Sequence, residues 1–198
     1  MKFVVRLGAL CVLLFLGACV SPGESVVGRS AIERPAWVDG DVAEEPQKFV
    51  MVVFKKTDIY RLELGLKQAQ AAALAAAPKL LRERVLRDVR HVAEFTLGVA
   101  EAEKHKASLD DVLALPAPLR DGPDASVSRT YHEEVQRESP TGVRISYDVF
   151  VLVGVSRHDY ELQLLDIARR LRETKNLVMK KVGDALEKEL SPENSSQE

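Results

Sequence analysis

The sequence predicts a two-layer α+β domain of strand–helix–strand–strand type, closed by a C-terminal helix, with the helices on one face of an antiparallel sheet. Three observations carry this reading. Residues 48–56 (KFVMVVFKK) form a short apolar run, rich in β-branched and aromatic side chains and bounded by charge, which reads as a buried strand. The alanine-rich stretch over residues 59–77 places apolar side chains three and four residues apart, the period of a helix face. Beyond Asp124 the period changes to two, and Val143, Ile145, Tyr147, Val149, Val151, Val153 and Val155 occupy every second position.

Each element follows from local signals. Asp58 is a natural N-cap for the first helix, whose inner face would carry Leu62, Leu66, Ala69, Ala73 and Ala76. Pro78 lacks a backbone donor and disfavours helical geometry at Ala77, so it predicts a break. A second helix is expected over residues 79–104, with Leu81, Val85, Val89, Val92 and Leu97 near one face. Residues 109–124 contain Pro116, Pro118, Gly122 and Pro123 and read as a connecting loop. Val127, Tyr131 and Val135 then mark one side of a strand, Ser139-Pro140-Thr141-Gly142 supplies a turn, and the valine-rich strand returns. Phe150 and Leu152 on that strand's opposite side predict that it is central, covered on both faces. From His158-Asp159 onward, Leu164, Ile167, Leu171, Val178, Val182 and Ala185 form one helical stripe interrupted at Thr174. Its second half either packs on the flank of the domain or projects toward a partner. Residues 191–198 read as a disordered polar tail.

The N-terminus carries a different signal. Lys2 and Arg6 precede an apolar run over residues 7–16, and Leu16-Gly17-Ala18-Cys19 follows. A run of ten residues fits the h-region of an export signal and is half of what a permanent membrane-spanning helix needs. The small residues before Cys19 resemble the bacterial lipobox, in which the thiol is diacylglycerated, the peptide is cut, and the new amine is acylated. Residues 1–18 would then be a cleaved signal peptide and Cys19 a lipidation site carrying two or three acyl (palmitate-type) chains, enough for firm attachment. Val20 follows; an aspartate there commonly retains lipoproteins at the inner membrane, so its absence favours the outer membrane. Residues 19–47 read as a flexible tether, and 48–190 as the folded domain. Trp37, the single tryptophan, sits in that tether, where folding back onto the domain or anchoring a partner would use its large apolar surface.

Composition narrows the function. Loss of Lys2 and Arg6 with the signal takes the 28 basic residues to 26, against 30 acidic, a net charge of −4. That balance gives no footprint for nucleic acid and no polybasic patch. Of the two cysteines, Cys11 lies in the segment to be removed, so the mature chain has one thiol and no disulfide. None of the four histidines pairs at the i,i+4 spacing of a helical metal site, and the eleven glycines form no phosphate loop. His132 and Glu134 share one strand face and are the best candidates for a weak metal or ligand site. His158-Asp159 reads as a helix start. These features predict no enzyme, no cofactor and no metal. They favour a lipid-anchored protein that binds an envelope partner, with Trp37, Val178 and Val182 as candidate contact residues. The alternatives are a periplasmic ligand-binding module or an envelope enzyme acting on cell-wall material, and a secreted domain whose Cys19 is never acylated.

The lipobox, the element Pro35-Ala36-Trp37-Val38, the first strand, the alanine-spaced helix and the strand Tyr147-Asp148-Val149-Phe150-Val151-Leu152-Val153 followed by Ser156 together resemble the Lpp-twenty family of small bacterial outer-membrane lipoproteins. The resemblance covers residues 34–172. It departs from the family at Lys55-Lys56, where a Val-Gly-type strand ending is usual, and in the length of the helical region 78–106. It implies a strand–helix–strand–strand fold and a non-catalytic role in the outer membrane.

Overall fold

The computed structural model describes residues 23–40, 48–115, 124–139 and 141–190. Their architecture is α+β: a four-stranded antiparallel sheet with helices packed on one face. In chain order the elements are β1 (Glu24–Arg29), a 3₁₀ turn (Ala36–Asp39), β2 (Phe49–Ile59), α1 (Leu62–Leu97), α2 (Val99–Lys104), α3 (Lys106–Leu113), β3 (Ala125–Ser139), β4 (Gly142–Ser156), α4 (Arg157–Glu173) and α5 (Leu177–Glu189). The sheet order is β1-β3-β4-β2. The valine-rich β4 lies inside the sheet and its residues 148–155 are buried, as the two-sided apolar pattern predicts.

The tether reading gives way in part. Residues 24–29 form β1, paired with β3 from Glu24↔Arg137 to Arg29↔Glu133, and the 3₁₀ turn lays Trp37 and Val38 on the sheet. The sequence hides this strand because it is short, carries charge at both ends and has adjacent rather than alternating valines. Its pairing energy comes from a strand more than a hundred residues away. Gly28 permits the close approach, since a Cβ there would lie 3.0 Å from Glu134 Oε2. Cys11, Cys19, the expected signal peptide, residues 41–47 and the expected 191–198 tail lie outside the described residues.

Pro78 does not break the helix: α1 runs unbroken from Leu62 to Leu97. Its buried positions explain why. Gly65, Ala69, Ala73, Ala77, Leu81, Val85 and Val89 recur every fourth residue. At 100° per residue, each step of four turns the stripe by about 40° around the axis. The first half therefore faces the sheet, with Ala69, Ala73, Ala77 and Leu81 on the valines of β4. The second half has rotated toward α3, α4 and α5, where Val85, Val89, Val92 and Ala93 enter a separate core. Burial continues across Pro78, and packing outweighs the missing hydrogen bond. Asp58 is not the N-cap; it is the next-to-last residue of β2, with φ 57°, and Arg61 takes the cap position without a side-chain bond.

Two further readings change. A β-bulge between Val127 and Arg129 puts Val127 on the helix side of the sheet and Tyr131 and Val135 on the other. The single final helix is a hairpin of α4 and α5, turned at Thr174 and restarted by Asn176, whose side chain accepts from the Val178 N–H at 2.9 Å. The region read as a loop over 109–124 contains most of α3, and Leu109 and Leu113 enter the helical core.

Candidate functional site

The sheet face away from the helices is built from the residues that alternate with the valines. On β3 these are Tyr131, Glu133, Val135 and Arg137; their β4 partners are Phe150, Asp148, Ser146 and Arg144. Two carboxylates, Glu133 and Asp148, thus stand directly opposite one another, and both are buried. Like charges in register are unfavourable, so each must be neutralised. Arg34 reaches Glu133 at 2.5 Å and Arg29 at 3.7 Å; Lys55 and Arg137 each hold Asp148 at 2.9 Å. Burial alone would raise the Asp148 carboxyl, but hydrogen bonds from Arg137 and Lys55 outweigh it and hold the group below the usual carboxylate range.

An aromatic cluster caps this network. Trp37 meets Tyr131 edge-on at 6.4 Å, Tyr131 tilts against Phe150 at 6.0 Å, and the Arg34 guanidinium lies 5.1 Å from the Phe150 ring centre. The Tyr131 hydroxyl donates to Glu133 at 3.1 Å. Burial first, and that bond second, push its phenol above the usual value. Each carboxylate is locked by two cations. What the network does is fasten β1 and the 3₁₀ turn onto β3 and β4. Trp37 is accordingly 7% exposed, buried against its own sheet.

The other candidate contact residues are also turned inward. Val182 is fully buried between α5 and its neighbours, and Val178 packs partly against the same core. His132 and Glu134 do share a face, on the helix side, but their side chains turn to different neighbours. The His132 ring meets Tyr147 edge-on at 6.0 Å, and Glu134 lies over Gly28. Burial holds the His132 imidazole below its ordinary value. Among the described residues no group of three His, Cys, Asp or Glu side chains is placed to hold a metal ion. His158 is exposed at the start of α4, and Asp159 accepts from the Asp124 N–H at 3.1 Å.

Concave surfaces among the described residues include two at the sheet. One, of about 620 Å³, runs between β2 at Met51–Val53 and the α1 residues Leu80, Glu83, Arg87 and His91. The other, of about 450 Å³, lies at the β3–β4 hairpin end and is lined by Asp58, Tyr60, Arg137, Glu138, Thr141, Arg144 and Ser146. The sequence reading named none of the residues of this second surface as functional. A usable signal was present in β4, where Arg144, Ser146 and Asp148 interrupt one face of an otherwise apolar strand.

Among the described residues, the fold and its sites thus define an α+β sheet domain whose buried carboxylates are met by internal cations. No protein-family model, curated protein or solved structure matches the chain.

Proposed function

We propose that this chain is a lipid-anchored bacterial envelope protein, held at the outer membrane through acyl chains on Cys19, with a non-catalytic binding or assembly role. The observation that carries the reading is the N-terminal pattern: two basic residues, ten apolar ones ending at Leu16, then Gly17-Ala18-Cys19. Supporting it, no helix among the described residues is long and apolar enough to cross a membrane, so a lipid would be the natural means of attachment. The order of strand, helix and hairpin that suggested the Lpp-twenty resemblance is compatible with it.

The test is metabolic labelling with a palmitate analogue in a bacterial host. Label is expected in the wild-type chain and lost in Cys19→Ser, with the substituted protein released from the membrane fraction. Label retained in Cys19→Ser overturns the lipobox reading.

A further inference from the structure

The strand hidden in the tether shortens the leash. β1 begins at Glu24, five residues after Cys19, so the acylated residue and the sheet stand at most about 18 Å apart even with the connection fully extended. A tether over residues 19–47 would have allowed about 100 Å by the same rise. The point of departure is also fixed. Glu24 lies opposite Arg137, and the Glu138 N–H donates to the Gly23 carbonyl at 3.0 Å. The chain therefore leaves the fold beside the hairpin tip, where Ser139 faces Gly142.

That end carries apolar side chains left in solvent. Val143 and Ile145 are 59% and 53% exposed on the helix side of β4, and Tyr60, just past β2, is 62% exposed. Between the valine and the isoleucine, Arg144 points to the other face, where it lines the hairpin-end cavity with Tyr60 and Arg137. In register Arg144 stands opposite Arg137. The Arg137 charge is met by Glu24, Asp58 and Asp148, whereas the Arg144 side chain makes no ion pair or hydrogen bond with the described residues. A ring with a polar tip, two aliphatic side chains and an unmatched guanidinium at one edge are the chemistry of a bilayer interface. Tyrosine settles at headgroup depth and guanidinium forks onto phosphate.

We propose that this end of the sheet rests on the lipid headgroups, with Tyr60, Val143 and Ile145 entering the interfacial layer and Arg144 meeting lipid phosphate. The proposal rests on acylation of Cys19. The patch is small and need not bind membranes unaided. An anchor on so short a connection raises its effective concentration at the surface to roughly the millimolar range. Glu138 is exposed beside it and opposes a strongly anionic surface.

The acylated mature chain, from Cys19 onward, in nanodiscs of phosphatidylethanolamine with a gadolinium-chelating headgroup lipid provides the test, read by amide NMR. Phe95 is the internal reference: it is 85% exposed, and it lies some 33 residues along α1 from Leu62, about 50 Å of helix. The amides of Val143, Arg144 and Ile145 are expected to relax several-fold faster than that of Phe95. In Tyr60→Ser/Ile145→Ser that contrast shrinks while the protein stays on the disc. Equal relaxation at both ends of a disc-bound, acylated chain overturns the orientation and leaves the anchor standing. A wild-type chain recovered from the bacterial host without acyl groups on Cys19 overturns the anchor and the orientation with it.

Discussion

At the scale of single residues, two glycines decide how closely elements approach, for reasons of space rather than backbone conformation. A Cβ on Gly65 would lie 2.1 Å from Ile59 Cγ2, where β2 hands over to α1. A Cβ on Gly183 would lie 2.7 Å from the Ala168 carbonyl oxygen, where α5 crosses α4. The neighbours differ in what they can yield. Ile59 is a buried side chain with other rotamers, whereas the Ala168 carbonyl belongs to helix backbone. Gly183→Ala is therefore expected to push α4 and α5 apart and lower stability by about 1–3 kcal/mol, despite alanine's higher helix propensity. Gly65→Ala should cost less when Ile59 is also shortened to alanine than when it is intact, because the clash is between those two side chains. Urea unfolding of the single and double variants measures both. A Gly183→Ala protein more stable than wild type would show that the crossing is looser than the geometry states.

At the scale of elements, the regular signals were legible and the long-range ones were not. The β4 alternation, the first apolar strand and the α1 stripe could be read because each repeats within a few turns or pleats. β1 could not, since its six residues make sense only beside β3, nor could the bulge at Val127–Arg129, which moves Tyr131 to the opposite face. The ion network was hidden for the same reason: Glu133 and Asp148 look like ordinary strand polars until the register places them together. Pro78 was misread because propensity argues locally, while the stripe from Gly65 to Ala93 is buried along its whole length. If packing alone keeps α1 continuous there, Pro78→Ala removes a penalty without changing the fold. Restoring an N–H for the carbonyl one turn earlier is expected to stabilise the protein by about 1–3 kcal/mol, up to the full cost of a helical proline. A higher urea midpoint with unchanged far-ultraviolet circular dichroism is the expected result. A lower midpoint would mean that the proline ring itself contributes packing that alanine lacks.

At the scale of the whole molecule, the two sheet faces are held by different physics, and pH separates them. The helix face is apolar and fixed by the valines of β4 against α1. The open face adds charge, with Arg29, Arg34, Lys55 and Arg137 around Glu133 and Asp148, to the apolar seating of Trp37 and Val38 on Tyr131, Phe150 and Leu152, so the hold on β1 and the 3₁₀ turn depends in part on these ion pairs. Asp148 has a folded value below the ordinary 3.8, so it binds protons less readily folded than unfolded. Its stabilisation is present above about that ordinary value and disappears as pH falls through the lowered one. His132, on the helix face, is depressed below 6.5 by burial, so its contribution is likewise complete above 6.5 and declines as pH falls from there. Two steps of acid weakening are therefore expected, the upper from the histidine and the lower from the aspartate. His132→Gln should abolish the upper step and leave the lower one. Asp148→Asn should remove the lower step and reduce stability at neutral pH by about 1–3 kcal/mol, because Lys55 and Arg137 lose a buried acceptor of full charge. Trp37 gives the local readout, since it caps the charged face. In Asp148→Asn its emission is expected to shift to the red before far-ultraviolet circular dichroism is lost, as β1 and the turn detach ahead of the helix face. Simultaneous loss of both signals would mean that the two faces unfold as one unit and that the charge network does not hold the N-terminal segment separately.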